Sequence, residues 1–180
     1  YVYSQATLTD HFNKLTMALS PLDHLICFAM KSNSSRGVLK VVSDLGSGFD
    51  IVSGGELERS IAAGGDASKC IFSGVGKTEA EISFALRKGI YAFNVESEPE
   101  LERIDRVAQR LKKKAPIAIR VNPDVDAKTH AKITTGTYDN KFGIAFEMIL
   151  GVYAGAAKMR NIKLRGLQMH IGSQLTKVGP

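Results

Sequence analysis

The sequence predicts an α/β fold built on a parallel sheet, and three observations predict it. Short apolar runs start at positions 25, 49, 70, 91 and 116, a spacing of 21 to 25 residues. The stretches between them carry apolar residues at helical spacing, such as Val38, Leu39, Val42 and Leu45, or Leu101, Ile104, Val107, Ala108 and Leu111. Helix boundaries are marked as well. Ser53 with Glu56, Thr78 with Glu81 and Ser97 with Glu100 form Ser/Thr-x-x-Glu boxes, and Gly46, Gly64 and Gly89 follow where a left-handed residue closes a helix. Strands joined by crossover helices must lie parallel, and unbroken apolar runs suit strands covered on both faces.

In chain order the predicted strands are Leu25 to Met30, Phe49 to Val52, Cys70 to Phe72, Tyr91 to Val95 and Pro116 to Val121. An irregular stretch from Asn122 to Gly143 follows, long enough to mark a functional loop. An amphipathic helix from about Phe146 to Met159 and a sixth strand from Leu164 to His170 come after it. Six βα units fit either a doubly wound sheet or most of a parallel (β/α)8 TIM-type barrel, and a closed barrel takes about 250 residues. At 180 residues the chain falls two units short. It starts at Tyr1 without a methionine and stops at Pro180 just after a strand and loop, so residues 1–180 are expected to be one incomplete barrel domain of a longer polypeptide.

Composition narrows the partners. The chain is 44% apolar and 23% charged, enough of each for a packed core under a solvated surface. A net charge of +6 is scattered rather than striped, and its one dense run, Arg110 to Lys114, falls where cations complement a helix C-terminus. Nucleic acid is therefore not an expected partner. The longest apolar stretch, Leu25 to Met30, is far short of the roughly 18 residues of a membrane span, so no membrane partner is expected either. Cys27 and Cys70 lie inside apolar runs with no Cys/His cluster. They read as buried free thiols of a reducing, cytoplasmic compartment, with no disulfide and no metal.

In parallel α/β folds chemistry gathers at the carboxyl ends of strands. Lys31 closes the first run, Asp50 lies in the second, Arg120 and Asn122 end the fifth, and His170-Ile171-Gly172-Ser173-Gln174 ends the sixth. A lysine closing a buried strand is either a desolvated Schiff-base nucleophile or a structural residue whose ammonium emerges at the rim. His170 is either a site residue or a hydrogen-bonded core histidine. Arg120 has a structural alternative in pairing with Asp50, and the capping box already accounts for Glu56. Several charged strand ends converging on one mouth favour function. Ser73 to Thr78 looks like the tail of a phosphate-binding loop, but the G-x-x-x-x-G-K-T spacing needs glycine at Ile71, and Thr78 serves better as a cap. Gly46-Ser47-Gly48 precedes a strand and is a turn.

These residues carry a resemblance. Cys27-Phe28-Ala29-Met30-Lys31-Ser32-Asn33 resembles the cofactor-lysine strand of the fold type III pyridoxal-phosphate enzymes, and Gly48 to Leu57 resembles the second-strand motif of their decarboxylase branch. His130 to Gly136, Asn140-Lys141-Phe142-Gly143-Ile144 and His170 to Gln174 are similar to the diaminopimelate decarboxylases within that branch. Met30 and Ser32 stand where the family more often has valine and alanine. The likeness covers nearly the whole chain in order. It implies pyridoxal 5′-phosphate as cofactor and Lys31 as its covalent tether, with Lys31 and His170 as the catalytic pair. His170 would lie against the pyridine ring, Gly172 and Ser173 with nearby backbone N–H groups would hold the phosphate, and Arg120 would approach the phenolic oxygen. Asp50 and Glu56 would line the lysine side.

The implied reaction is decarboxylation of meso-2,6-diaminopimelate, a small amino-acid substrate, to L-lysine and carbon dioxide by a homodimer. The glycine-rich phosphate loop, the acidic partner of the pyridine nitrogen and a C-terminal β domain would follow Pro180, so this segment by itself should neither hold the cofactor tightly nor turn over. The rival readings are alanine racemase, an ornithine- or arginine-type decarboxylase, a catalytically silent homologue that acts as a binding partner, and a cofactor-free Schiff-base aldolase.

Overall fold

A computed structural model describes residues 1–123 and 142–172, and the chain divides into two units, Tyr1–Phe93 and Asn94–Pro180. The first unit opens with helix α1, Gln5–Ala18, where the Ser4 hydroxyl accepts from the Thr7 N–H at 3.3 Å. Three βα steps and a fourth strand follow: β1 (Cys27–Ala29), α2 (Arg36–Asp44), β2 (Gly48–Ile51), α3 (Gly54–Ala62), β3 (Cys70–Phe72), α4 (Glu79–Lys88) and β4 (Ala92–Val95). The strands pair in parallel and in chain order, with Phe28 opposite Phe49, Phe49 opposite Cys70 and Phe72 opposite Phe93. Met30, Leu39, Phe49, Ile51, Leu57, Phe72, Ile82 and Phe93 bury their side chains almost completely and form the core. Gly48 begins β2 because nothing larger fits: a Cβ there would stand 2.2 Å from the Lys69 carbonyl oxygen and 2.8 Å from Cys27 Sγ.

The cap signals have the expected helix starts but not always the expected partners. Thr78 and Glu81 make the full reciprocal box, and Gly89 closes α4 in the left-handed region. Ser53 accepts from the Glu56 N–H and Ser97 from the Glu100 N–H, yet each glutamate reaches one residue further back. Glu56 Oε2 takes the Val52 N–H at 2.7 Å and Glu100 Oε2 takes the Glu96 N–H at 2.7 Å, so each ties a strand end to its helix.

Glu81 joins two helix starts. Its Oε2 accepts from the Thr78 N–H and hydroxyl, and its Oε1 accepts from the Gly54 N–H at 2.9 Å. Burial by itself raises this carboxyl, but those hydrogen bonds and the Lys77 charge outweigh it and hold Glu81 below its ordinary 4.5. A carboxyl depressed by folding adds stability above its unfolded pKa and loses it as pH falls through the folded value. Glu81→Gln in the full-length protein should therefore lower the urea midpoint more at pH 7 than at pH 3. An equal loss at both would contradict the assignment.

The second unit holds the end of β4, α5 (Glu98–Arg110), β5 (Ala115–Asn122), β6 (Ile144–Ala145), α6 (Ile149–Lys158) and β7 (Ile162–Met169). β4 is followed in the sheet by β5, which pairs in parallel with β6 at Val121 and Asn122 and with β7 from Ala115 to Val121. Val95, Leu101, Ile104, Val107, Ile117, Ile119 and Ala156 make its core. Arg110 to Lys114 does straddle a helix end, with α5 stopping at Arg110 and Lys112 at φ 53°.

Four expectations need correction here. The sixth strand in order is the two-residue β6, and the one expected at Leu164 to His170 is β7, which starts at Ile162 and stops at Met169. The helix expected from Phe146 begins instead with a 3₁₀ turn over Phe146–Met148, because Met148 supplies no capping side chain to start α6. Cover on both faces holds for β4, whereas β5 and β7 alternate, and Lys163, Arg165, Leu167 and Met169 of β7 are exposed. Cys70 is buried but Cys27 only half so; both are free. Burial, then the nearby Asp50 charge and Cys70, pushes the Cys27 thiol up to about 12, which leaves it unreactive.

Candidate functional site

In the first unit the candidate residues lie at the carboxyl ends of β1, β2 and β3. β1 ends at Ala29, the next side chain, Met30, turns inward at 1% exposure, and Lys31 consequently turns outward in a 3₁₀ turn over Met30–Ser32. Ser32 Oγ donates to the Ala29 carbonyl at 2.7 Å, the Asn33 N–H to Met30 at 3.1 Å, and the Ser35 N–H to Asn33 Oδ1 at 2.8 Å. The backbone under Lys31 is thus tied while its amine is exposed and carries no hydrogen bond or ion pair among the described residues. This corrects the expectation of a lysine closing a buried strand: the burial goes to Met30.

Asp50 stands opposite Ala29 on one side and Ile71 on the other. Ser73, just past β3, donates its hydroxyl to Asp50 Oδ1, and its N–H goes to the Ile51 carbonyl at 2.7 Å. Asp50 is half-buried. Sequence reasoning met Ser73 only as part of the phosphate-loop look-alike. In that loop Lys77 is 2% exposed, donates to the Gly74 carbonyl at 2.6 Å and lies 5.7 Å from the Phe72 ring centre. The loop wraps its own lysine, so the look-alike is no phosphate cradle. Glu56, expected on the lysine side, uses Oε2 on the Val52 N–H.

In the second unit Arg120, near the end of β5, donates through Nη1 to both oxygens of Glu96, at 2.8 and 3.0 Å. The structural alternative of an Arg120–Asp50 pair is corrected by these partners: Glu96 for Arg120, Ser73 for Asp50. Glu96 directly follows β4 and its side chain is 4% exposed. A charge closing the apolar run at Val95 was the available signal for it, masked by the Ser97 capping box next door. The Phe142 ring centre lies 5.4 Å from Arg120 Cζ, and Gly143, at φ 93°, lies so close that a Cβ would stand 2.8 Å from the Arg120 carbonyl oxygen. Two residues of the Asn140 to Ile144 motif thereby pack on Arg120.

Gln168 of β7 is opposite Arg120 in register, and its buried Oε1 has no hydrogen-bond partner among the described residues. His170 is exposed just past β7, not a core histidine, and Gly172 follows two residues on. Ser173, the His130 to Gly136 motif, Asn140 and Lys141 lie outside the described residues. Among the described residues no group of three or more His, Cys, Asp or Glu could hold a metal ion, and no helix is long and apolar enough to cross a membrane.

A parallel βα repeat with polar side chains at the carboxyl ends of its strands is the architecture of a barrel-type α/β enzyme. The chain belongs to the pyridoxal-dependent decarboxylases: their pyridoxal binding domain matches residues 5–180. It is 56% identical over 180 residues to a diaminopimelate decarboxylase of Neisseria meningitidis serogroup B and 57% identical over 180 residues to one of Vibrio cholerae serotype O1. All of this chain but only 44% and 43% of those relatives is covered, so the chain spans less than half their length. Its fold matches diaminopimelate decarboxylase from Helicobacter pylori complexed with L-lysine at a TM-score of 0.95 and 40% identity, over 99% of this chain and 45% of that one. The enzyme from M. jannaschii in co-complex with L-lysine matches at a TM-score of 0.88 and 34% identity, over 97% and 42%.

Proposed function

We propose that the full-length protein removes carbon dioxide from meso-2,6-diaminopimelate to give L-lysine, using pyridoxal 5′-phosphate. One observation supports the reading: over its full 180 residues the chain is identical to two diaminopimelate decarboxylases at more than half of the positions. The side chains present suit the cofactor. An exposed primary amine at Lys31, unpaired among the described residues, suits condensation with an aldehyde, and a guanidinium held in place at Arg120 offers donors to a phenolic oxygen. Asp50, fixed by Ser73, keeps a carboxylate at the strand end next to the lysine turn. His170, Gly172 and Ser173 complete the proposed set, His170 against the ring and the other two at the phosphate.

When bound, pyridoxal phosphate supplies an electron sink for the pair left behind when the bond to the α-carboxylate breaks. The protein's share is placement. Lys31 Nζ would hold the cofactor, and its amine would carry a proton close to the substrate. Arg120 and His170 would orient the bound group, and orientation of that kind contributes several kcal/mol of the barrier, on the order of 7 or more in favourable cases. We place residues 1–180 in the barrel domain of a cytoplasmic homodimer, with the remaining barrel and a C-terminal β domain in the length that the relatives have beyond it.

Carbon dioxide release from meso-diaminopimelate, ornithine, arginine and alanine by the full-length protein tests the proposal. Turnover of diaminopimelate with the others at least about a hundred-fold slower is expected, since a site built to bind a polar group at the distal end rejects substrates lacking it. Preference for ornithine or arginine, racemisation of alanine, or no release at all would overturn it.

A further inference from the structure

We infer that Glu96 is the positioning residue for Arg120, holding the guanidinium in the one pose in which it meets the cofactor; the inference rests on the function proposed above. Arginine has several rotatable bonds and loses much rotamer freedom when it is held. Three features hold it here. Glu96 engages Nη1 with both carboxylate oxygens, at 2.8 and 3.0 Å, in a place where the glutamate side chain is 4% and the arginine 15% exposed. The Phe142 ring, 5.4 Å from Cζ, supports one face of the guanidinium. Gly143 brings the neighbouring backbone close along the aliphatic part of the side chain, where a Cβ would already crowd it at 3.0 Å from Arg120 Cγ.

The carboxylate is itself anchored. The Glu96 N–H donates to Glu100 Oε2 at 2.7 Å, and Glu100 is 4% exposed at the start of α5. Helix α5 therefore fixes Glu96, and Glu96 fixes Arg120. Because only Nη1 is taken, Nε and Nη2 have no partner among the described residues and remain as donors for another acceptor. The pair is also close to neutral as a unit, so the guanidinium reaches the phenolic oxygen as a directed hydrogen-bond donor with its net charge offset. Replacing the carboxylate changes both the aim and the field, and a phenolic oxygen conjugated with the ring reports the field in the cofactor's visible absorption.

The test uses the full-length protein loaded with pyridoxal phosphate, with Glu96→Gln, Glu96→Asp, Arg120→Gln and the double variant Glu96→Gln/Arg120→Gln. Glu96→Gln is expected to lower kcat by about 10–100-fold, as misplacement of a positioned group does, with KM changed much less. It should also move the pH midpoint of the cofactor's visible band, a readout that a purely structural role would leave alone. Glu96→Asp should recover part of both effects, and the double variant should be no worse than Arg120→Gln. Wild-type kcat and pH midpoint in Glu96→Gln, or losses that multiply in the double variant, would overturn the inference. Should Glu96→Gln not fold by its thermal midpoint, Glu96→Asp and its double with Arg120→Gln run the same cycle under the same criteria. A wild-type protein without a visible band or carbon dioxide release would instead remove the function proposed above.

Discussion

Lys31→Ala in the full-length protein should abolish carbon dioxide release, by about a thousand-fold or more, which corresponds to about 4 kcal/mol of barrier. The same change should leave the fold untouched. Lys31 is exposed in a turn closed by Ser32, Asn33 and Ser35, and its amine is tied to nothing among the described residues, so truncation removes no packing and orphans no partner. Surface changes of that kind stay within roughly 0.5 kcal/mol. A large loss of activity at an unchanged urea midpoint is thus the expected combination. Residual turnover near the wild-type rate would show that another amine does the work.

The largest stability effect is expected at Phe72, where chemistry is not involved. Its ring is fully buried in β3, stacks on Phe93 at a centroid distance of 5.9 Å, and has Lys77 Nζ 5.7 Å from its centre. Truncating a buried phenylalanine costs about 3–5 kcal/mol. Loss of the ring under an almost fully buried ammonium adds about 0.5–2 kcal/mol. Against a total of about 5–15 kcal/mol, Phe72→Ala should leave the protein marginal or unfolded at 37 °C, whereas Phe72→Leu should cost no more than about 1.5 kcal/mol. Urea midpoints of the two variants check this, and a loss below 1 kcal/mol for Phe72→Ala would mean that β3 is not a core strand.

Much of the scaffold was legible in the sequence because each βα step carries its own punctuation. Thr78 with Glu81 and the left-handed Gly89 bracket α4 as expected, and Phe49, Cys70 and Phe93 lie in the strands their apolar runs marked. Helix α1 went unread although Ser4 caps it and Leu8, Phe12, Leu15 and Leu19 follow at helical spacing: it buries no residue, so its stripe is weak among its polar neighbours. β6 is too short for any period to show. The candidate site divides the same way. Lys31, Asp50, Arg120 and His170 announced themselves as polar residues closing apolar runs. Glu96 also closes an apolar run, but the Ser97–Glu100 cap signal beside it masks it in the sequence. Pairings such as Glu96 with Arg120 or Ser73 with Asp50, 24 and 23 residues apart, are fixed by strands standing side by side, which no local pattern records.

The most direct test of the account is chemical. The full-length protein, loaded with pyridoxal phosphate, is reduced with borohydride, digested, and its peptides mapped for the pyridoxyl group. The label is expected on the peptide containing Lys31, with loss of the visible band; a label on Lys77 or on any other lysine would contradict it.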